Sequence, residues 1–451
     1  MTELVVVANR LPIQSLSLES SSYTQSPGGL VSALHPILVS YGGTWIGWSG
    51  YCKTKLLPSI CGYKLNPIEI DEPDFQDYYN GYSNSILWPL FHNRPCDLRS
   101  SGQWWPQYER VNQIFAKETA ETANKDSLVW VHDYHLQLVP KILKRYRPDI
   151  RIGFFLHTPF PNFSSFQKLP HWREIVEGIS SSHVIGFQTN RDQHNFHVAL
   201  YNSRKSHLGS IGEIPETIVN PVSVDYERWN QIANQPETLV LARKIRNHIG
   251  SEKTLIIGID RLDQTKGILN RLIALYELLS EEKIEAEKIA MIVIASSSRN
   301  SSSPKDWYKL RIENLILRIN NEFGKNGCPV VYYTNRSMTP NQVSAFFSAS
   351  DILIVSSLQD GMNLISKEFV ANSKGNRGIL IISENAGAAT DLNAALKIDP
   401  YNIPNIKNSI LTAINMTQSD AIERMKSLRN SVRSHNVYDW AKQFIDNLQP
   451  D

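Results

Sequence analysis

The chain has 451 residues, which corresponds to two or three domains at a typical size of about 150 residues each. Lys and Arg total 46 and Asp and Glu total 44, so the formal net charge is +2. This balance excludes a broadly basic nucleic-acid coat and a strongly acidic tail. Hydrophobic residues make up 41% of the chain, which is enough for folded cores and argues against disorder. Any anion that the protein binds must therefore be held by a local site.

The sequence predicts a cytoplasmic protein without a membrane or nucleic-acid partner. The N-terminal run MTELVVVANRLP has no basic leader and carries Glu3, so it does not resemble a signal peptide. The apolar run from Ile289 to Ala295 is far too short for a membrane span. The four cysteines form no CxxC pair and have no histidine at zinc-finger spacing, which favours free thiols in a reducing compartment.

The first half of the chain combines short apolar runs with a long polar insert. The apolar runs predict strands at Leu4–Val7, Trp45–Ile46, Leu128–Val131, Ile152–Leu156 and Val184–Phe187. A more polar insert, rich in Pro, Trp and Tyr, occupies roughly residues 50–110. The polar segment Tyr226–Glu237 predicts a linker between the two halves.

The second half alternates apolar strands with amphipathic helices. Strands are predicted at Leu255–Ile259, Ile289–Ala295, Val330–Tyr333, Ile352–Val355, Gly378–Ile382 and Ala395–Ile398. Helices are predicted at Ile268–Leu279 and Trp307–Asn321. This alternation is typical of a parallel sheet that is covered on both faces, as in doubly wound α/β domains.

Three segments follow from this pattern. We expect a Rossmann-like domain at 1–228, a second Rossmann-like domain at 229–435, and a terminal helix at 436–451 that packs back on the first domain. Ligands of open α/β sheets bind outside the carboxyl ends of the strands. The residues that directly follow strands are therefore the candidates for chemistry.

Polar residues and glycines follow the first strand. Asn9 and Arg10 come after it, and Gly28 and Gly29 precede a helical run at Leu30–Leu38. Tandem glycines allow the backbone to approach a phosphate closely, although an ordinary turn explains them as well. The GxGxxG and GxxxxGK[ST] motifs are both absent from the sequence, which disfavours a nicotinamide dehydrogenase and a P-loop NTPase.

Histidines and an aspartate follow two later strands. Asp133 and His157 could bind sugar hydroxyls or act in general acid–base chemistry. A zinc site formed by His132, His135 and His157 is the competing interpretation. We disfavour it because no carboxylate or cysteine completes the ligand set.

Charged residues follow two strands of the second half. Arg261 and Lys266 lie between a strand end and a helix start, a placement that favours a pyrophosphate site over two solvated surface charges. Gly361 is expected to allow a sharp turn before a helix that carries Glu368. Asp360 and Glu368 would lie about 12 Å apart if both were on that helix, which is too far for the carboxylate pair of a glycosidase.

These motifs together resemble the trehalose-6-phosphate synthase family, which comprises retaining glucosyltransferases of the GT-B architecture. The resemblance extends from Val5 to about Trp440 and includes the segments ANRLP, PGGL, GGTWIGWSG, YYNGYSNSILWPLFH, WVHDYHL, GFFLHTPFP, DRLDQTKG and LQDGMNLISKEFVA. It implies an α/β fold in which two doubly wound domains face an interdomain cleft. It also implies transfer of glucose from a nucleotide-glucose, usually UDP-glucose, to glucose 6-phosphate, giving α,α-trehalose 6-phosphate with retention.

The resemblance also implies roles for matching residues. Catalysis would involve Arg261, Lys266, Asp133, His157 and Asp360. The donor would contact Gly28, Gly29, Gly361, Met362, Asn363 and Glu368. The acceptor would contact Arg10, Tyr79, Trp88 and Arg299. The family needs no metal and no other cofactor, the two small-molecule substrates are the expected partners, and a homo-oligomer is allowed.

Three positions depart from the usual family pattern. Gln359 stands where an Arg is common, Gln264 replaces a common Tyr, and Ser223 replaces a Gly. These departures motivate one alternative, a relative that acts on another sugar-phosphate or pseudo-sugar acceptor. A second alternative is a non-catalytic regulatory paralogue, which the retained donor-site residues disfavour.

Overall fold

The structure is a computed structural model that describes residues 3–15, 23–26, 28–50, 59–205, 214–296, 306–325 and 327–449. The chain divides into two compact units, Met1–Val222 with Val437–Asp451, and Ser223–Asn436. This first division lies a few residues before the predicted boundary at 228. The reason is that Asp225 accepts a hydrogen bond from the Arg228 N–H and begins a helix that packs on helices of the second unit.

The first unit is built on a largely parallel sheet. Its strands are β1 (Leu4–Arg10), β2 (Ile13–Ser15), β3 (Tyr23–Gln25), β4 (Thr44–Trp48), β5 (Ser59–Ile60), β6 (Tyr63–Ile68), β7 (Leu128–His132), β8 (Arg151–Phe155), β9 (Val184–Phe187) and β10 (Glu216–Val219). The sheet order is β10-β9-β8-β7-β1-β4-β6-β5, with β5–β6 antiparallel, and β2 pairs separately with β3. The predicted strands of this half are confirmed. Strands β2, β3, β5, β6 and β10 were not predicted, and in β6 and β10 polar residues interrupt the short apolar patterns.

Helices cover this sheet and fill the predicted polar insert. They are α1 (Gly29–Tyr41), α2 (Glu72–Phe75), a π-helix (Gln76–Leu87), α3 (Trp88–Phe91), a 3₁₀ turn (Leu98–Ser100), α4 (Ser101–Thr122), α5 (Val139–Tyr146), α6 (Phe163–Phe166), α7 (Trp172–Ser180) and α8 (Asn190–Lys205). The later part of the insert is not a solvent-exposed surface segment, because the rings of Tyr78, Tyr82 and Tyr108 are fully buried in the core.

The second unit has a fully parallel sheet. Its strands are β11 (Thr254–Arg261), β12 (Ile289–Ser296), β13 (Val331–Thr334), β14 (Ile352–Val355), β15 (Ile379–Ser383) and β16 (Leu396–Ile398). The order is β13-β12-β11-β14-β15-β16, and every neighbouring pair is parallel. The predicted strands of this half are confirmed. Strand β11 is the central topological switch, because the chain moves outward from it in both directions.

Helices flank this sheet on both faces. They are α9 (Tyr226–Asn234), α10 (Pro236–Ile249), α11 (Ile268–Ser280), α12 (Asp306–Phe323), α13 (Pro340–Ala349), α14 (Leu364–Asn372), α15 (Ile403–Ile414) and α16 (Gln418–Ser434). Short 3₁₀ turns lie at Gln264–Lys266, Ala286–Lys288, Lys374–Asn376 and Gly387–Thr390. The segment Tyr226–Glu237, where the linker was predicted, forms α9 and the start of α10. The predicted α/β class, with two doubly wound sheets, is confirmed.

The terminal helix α17 (Val437–Leu448) packs on the sheet of the first unit. Its Phe444 ring stacks on Trp130 of β7 at a centroid distance of 4.5 Å. Gly153 of β8 makes room for this ring, since a Cβ there would lie only 2.6 Å from Phe444. Asn220 fixes the helix further by donating from Nδ2 to the Trp440 carbonyl at 2.9 Å. In the part of the chain that the structure describes, no helix is sufficiently long and apolar to cross a membrane.

Candidate functional site

Strand β1 delivers Arg10 into an aromatic environment in the first unit. The Arg10 guanidinium carbon lies 4.8 Å from the centre of the Trp48 ring and 4.9 Å from that of Tyr79. Such stacking is a cation–π interaction that fixes the plane of the guanidinium. Its N–H donors lie in that plane, which suits recognition of a planar or tetrahedral oxyanion. The sequence identified Arg10 and Tyr79 but missed Trp48.

A π-helix and the α-helix after it carry Tyr79 and Trp88, two of the aromatic residues predicted to contact the acceptor. Tyr79 lies in the first turn of the π-helix, and Trp88 begins the α-helix that follows it. The Tyr78 hydroxyl donates to Asn9 Oδ1 at 2.8 Å and ties this helix to the end of β1. A run of ring contacts then passes from Tyr79 through His135 and Tyr134 to Trp88. π-Helical segments are rare in proteins, and those that occur are often found at functional sites. No residue pattern in the sequence predicted this one.

Asp133 follows β7 in a left-handed conformation with φ 73°. Its N–H donates to the Phe155 carbonyl at 2.8 Å, and its Oδ1 accepts from the His157 N–H at 3.3 Å. The backbone N–H and the carboxylate of Asp133 thus join the end of β7 to the end of β8. A non-glycine residue in this conformation is uncommon, and Asp is one of the few side chains that tolerate it.

His157 and His132 form a close imidazole pair. His132 Nδ1 and His157 Nε2 are 3.0 Å apart, and Gln188 Nε2 lies 3.5 Å from His157 Nδ1. Burial lowers the pKa of His157 to about 3 and the pKa of His132 well below its usual range, so both rings are neutral. Within the described ranges, no three metal-ligating side chains converge, and His135 stacks on Tyr79 instead.

Two glycines begin α1 in the same unit. Gly28 is the N-cap with φ 146°, and Gly29 is the first helical residue. No Cβ is accommodated easily at the φ of Gly28, which explains a glycine there whether or not a phosphate binds. We name the first-unit site by its residues Arg10, Tyr79, Trp88, Asp133 and His157. Arg299, the other predicted acceptor residue, lies outside the described residues.

A buried ion pair is the centre of the second unit's candidate site. Lys266 Nζ lies 2.6 Å from Asp360 Oδ2, and their side chains are only 10% and 12% exposed. Ser357 Oγ and Asn363 Nδ2 donate to the same carboxylate oxygen at 3.2 and 3.1 Å. The predicted diphosphate cation and the predicted sugar-binding acid are therefore brought together.

Close backbone packing holds the loops that carry this pair. The Leu358 N–H donates to the Thr265 carbonyl at 2.7 Å, which joins the loop after β11 to the loop after β14. Gly267 is required at this contact because a Cβ would lie 2.0 Å from the Ser356 carbonyl oxygen. Gly387 is required for the same reason at the loop that carries Asp360, where a Cβ would lie 1.9 Å from the Gly361 carbonyl oxygen.

The turn into α14 differs from the prediction. Asn363, rather than Gly361, adopts the left-handed conformation, with φ 76°, and its side chain caps the helix by accepting from the Ser366 N–H. Asp360 lies before the helix and bridges to Ala386, so Asp360 and Glu368 do not share one helix as assumed. Met362 is buried behind this turn. Asn tolerates the left-handed region better than other side chains, which is why a glycine was not needed there.

Glu368 is a buried carboxyl group with an unusual pKa. It lies on α14 and is 7% exposed. Burial raises its pKa from 4.5 to about 7, and the positive charge of Arg228 on α9 opposes this shift. Arg261 lies at the exposed end of β11. We name the second-unit site by its residues Arg261, Lys266, Asp360–Asn363 and Glu368.

The second-unit site combines features that suit an anionic ligand with hydroxyl groups. Lys266, Arg261 and the N-terminal end of α14 supply positive charge. Asp360 and Glu368 supply hydrogen-bond acceptors. The first-unit site combines an aromatic-stacked cation with an aspartate, a set that suits a phosphorylated sugar.

Comparisons with known proteins identify the family. The sequence model of Glycosyltransferase family 20 matches residues 2–450. A trehalose-6-phosphate synthase of Mycolicibacterium smegmatis is 37% identical over 464 residues, which cover 99% of this chain and 92% of that protein.

Solved structures agree with this match. A UDP-forming α,α-trehalose-phosphate synthase from Burkholderia xenovorans, in complex with glucose-6-phosphate, is 28% identical, with a TM-score of 0.89 over 99% of this chain and 100% of that chain. A structure from E. coli bound with UDP-2-fluoro glucose is 29% identical, with a TM-score of 0.89 over 100% of this chain and 99% of that chain. The chain therefore belongs to glycosyltransferase family 20.

Proposed function

We propose that the protein transfers glucose from UDP-glucose to glucose 6-phosphate with retention, which gives α,α-trehalose 6-phosphate. The observation that carries this proposal is the buried Lys266–Asp360 pair beside the capped start of α14. It provides a cation for a diphosphate and an acceptor for sugar hydroxyls within one small site. The similarity to trehalose-6-phosphate synthases supports the substrates, and the relatives bound to glucose-6-phosphate and to UDP-2-fluoro glucose support both halves of the reaction.

In this proposal the second-unit site binds the donor. Arg261 and Lys266 hold the diphosphate, Glu368 accepts hydrogen bonds from the ribose hydroxyls, and the Gly361–Asn363 segment contacts the glucosyl unit. Gly28 and Gly29 provide a further backbone contact to the donor. As the bond to the diphosphate breaks, negative charge grows on the leaving group, and Arg261, Lys266 and the α14 N-terminus stabilise it. These groups supply the positive charge themselves, so the proposal needs no metal ion.

The first-unit site binds the acceptor in this proposal. Arg10 and Arg299 hold the 6-phosphate with help from Tyr79, and Trp88 packs against the sugar ring. Asp133 accepts a hydrogen bond from the sugar and orients it. His157 contacts the transferred glucose, and its neutral ring cannot act as a general acid near pH 7. The proton of the attacking hydroxyl passes instead to the departing phosphate oxygen, with attack on the same face that the leaving group occupied.

A donor and acceptor panel tests this function. Purified protein is incubated with UDP-, GDP- or ADP-glucose and with glucose 6-phosphate or other sugar phosphates, and the products are identified by mass spectrometry and NMR. We expect α,α-trehalose 6-phosphate from UDP-glucose and glucose 6-phosphate. A product from another acceptor would favour the relative with altered specificity, and ligand binding without turnover would favour the regulatory paralogue. The proposed location is the cytoplasm, and a homo-oligomer is compatible with the proposal.

The aromatic environment of Arg10 gives a further prediction. Replacing Trp48 by leucine removes one stacked face of the guanidinium, and we expect the KM for glucose 6-phosphate to rise about two- to fivefold. The KM for UDP-glucose should stay unchanged in steady-state assays. Trp172→Leu is the matched control, because Arg173 stacks on Trp172 at 4.5 Å and neither residue belongs to the first-unit site. Equal effects of both variants on the acceptor KM would contradict the assigned role.

A further inference from the structure

A fully buried arginine joins two strands of the second unit. Arg271 on α11 is completely buried, and its Nη1 donates to Asp260 Oδ2 at 2.6 Å. The same nitrogen lies 3.4 Å from the carbonyl oxygen of Ile354. Asp260 belongs to β11 and Ile354 to the neighbouring strand β14. One guanidinium therefore contacts both strands near the ends that lead into the second-unit site.

The sheet makes room for this guanidinium. Gly258 lies on β11, and a Cβ at that position would come within 2.4 Å of Arg271 Cζ. Any larger residue at Gly258 would displace the arginine. A glycine inside a strand weakens the strand, so its presence here indicates that another group must approach closely.

Stability alone does not account for this arrangement. Arg271 Nε and Nη2 have no hydrogen-bond partner among the described residues, although both are buried. A buried ion pair with unsatisfied donors is often no more stable than well-packed apolar side chains of similar volume. The Arg271–Asp260 ion pair therefore indicates a function that two apolar side chains could not perform.

Its position in the chain suggests that role. Asp260 immediately precedes Arg261, and the loop after β11 continues to Lys266. The loop after β14 carries Asp360, the partner of Lys266. Misplacing charged groups by a small distance is costly wherever charge develops during a reaction.

We propose that Arg271 is a positioning residue for the nucleotide-sugar donor. By holding Asp260 and the end of β14 together, it fixes the direction of Arg261 and the spacing between the loops that carry Lys266 and Asp360. This inference rests on the proposed function, because it assumes that the second-unit site binds the donor. It predicts a selective effect on the donor and none on the acceptor.

The test uses three variants of the full chain: Arg271→Met, Arg271→Lys, and the double variant Arg271→Met/Asp260→Asn. The Met variant leaves Asp260 buried without its cation, which destabilises the fold. The double variant removes both charges and should therefore be the more stable of the two. We expect the Kd for UDP and the KM for UDP-glucose to rise about fivefold in the double variant, the size of one lost hydrogen bond. The KM for glucose 6-phosphate should not change. Arg271→Lys keeps the charge and should restore part of the UDP affinity.

Arg246 provides a matched control at the opposite ends of the same strands. It pairs with Asp351 at 2.9 Å, and Asp351 also accepts from the Leu255 N–H at the start of β11. Arg246→Met removes an ion pair from the amino ends of β11 and β14. It should lower Tm while leaving the Kd for UDP unchanged, because ligands of such sheets bind at the carboxyl ends.

Several results would overturn the proposal. An unchanged Kd for UDP in the folded double variant would do so, as would equal increases in both KM values. A loss of UDP affinity in Arg246→Met as large as in the Arg271 variants would show a general effect of stability instead. The proposed function fails separately, through the absence of a disaccharide phosphate from the unmodified protein, and UDP titration by calorimetry still tests Arg271 in that case.

Discussion

Replacing Lys266 by alanine lowers kcat by at least about 30-fold, because it removes a cation from the leaving diphosphate where negative charge develops. The loss should exceed that of an exposed lysine, since Lys266 is only 10% exposed and interacts through a poorly solvated region. The measurement is steady-state release of UDP at saturating glucose 6-phosphate. Since the effect belongs to the transition state, kcat should fall at least as much as the affinity for UDP-glucose.

The ion pair with Asp360 complicates this variant and also supplies its control. Lys266→Ala leaves a buried carboxylate without its cation, so a lower Tm accompanies the lower kcat. The double variant Lys266→Ala/Asp360→Asn removes both charges and should recover Tm, and its kcat is compared with that of Asp360→Asn alone, because Asp360 itself belongs to the second-unit site. Lys407→Ala is a second control, because Lys407 pairs with Glu277 at 3.1 Å and lies in neither named site. A double variant with the same kcat as Asp360→Asn alone would show that Lys266 acts only on stability.

The sequence predicted the fold well because the strands are apolar and continuous. The first four residues of β7 and the first seven residues of β12 are apolar and buried, so these strands were visible as continuous apolar runs without alternation. Segments that depend on tertiary packing were less predictable. The polar stretch after Asp225 is helical because it packs on α13 and α14, which no local pattern reveals.

The candidate site was predictable in its residues and less so in its geometry. Strand ends and the family resemblance named Lys266 and Asp360, but their direct contact joins positions 94 residues apart in the chain. The sharp turn before α14 was predicted at Gly361, whereas the structure gives the left-handed conformation to Asn363. Trp48 and Arg271 escaped notice since both resemble ordinary core or surface residues when read alone.

The affinity for UDP-glucose rises with pH if Glu368 contacts the ribose as proposed. Burial raises the pKa of this carboxyl group from 4.5 to about 7, so a large fraction is protonated and uncharged below neutral pH. Ribose hydroxyls donate hydrogen bonds, and these favour the ionised carboxylate. Binding then releases a proton, and the Kd should fall about tenfold between about pH 6 and pH 8. Calorimetry with UDP-glucose and no acceptor measures this dependence.

The same raised pKa gives folding stability a pH dependence opposite to that of UDP-glucose affinity. Between the unfolded value of 4.5 and the folded value of about 7, the native state binds more protons at Glu368 than the unfolded state does. Stability therefore decreases as pH rises through this window, and the full cost of burying the charge is present above it. Glu368→Gln should accordingly raise Tm relative to the unmodified protein at pH 8 and lose this advantage near pH 4.5.

Two variants separate Glu368 from other sources of pH dependence. Glu368→Gln keeps the shape of the side chain and should bind UDP-glucose more weakly, with a Kd that no longer changes between about pH 6 and pH 8. Arg228→Met removes the positive charge that opposes the shift, so the midpoint of the dependence should move to higher pH. A dependence that survives in Glu368→Gln would assign the titration to another group. The expected shift of the midpoint in Arg228→Met would show that donor binding also depends on a charge on α9, outside the loops that carry the donor site.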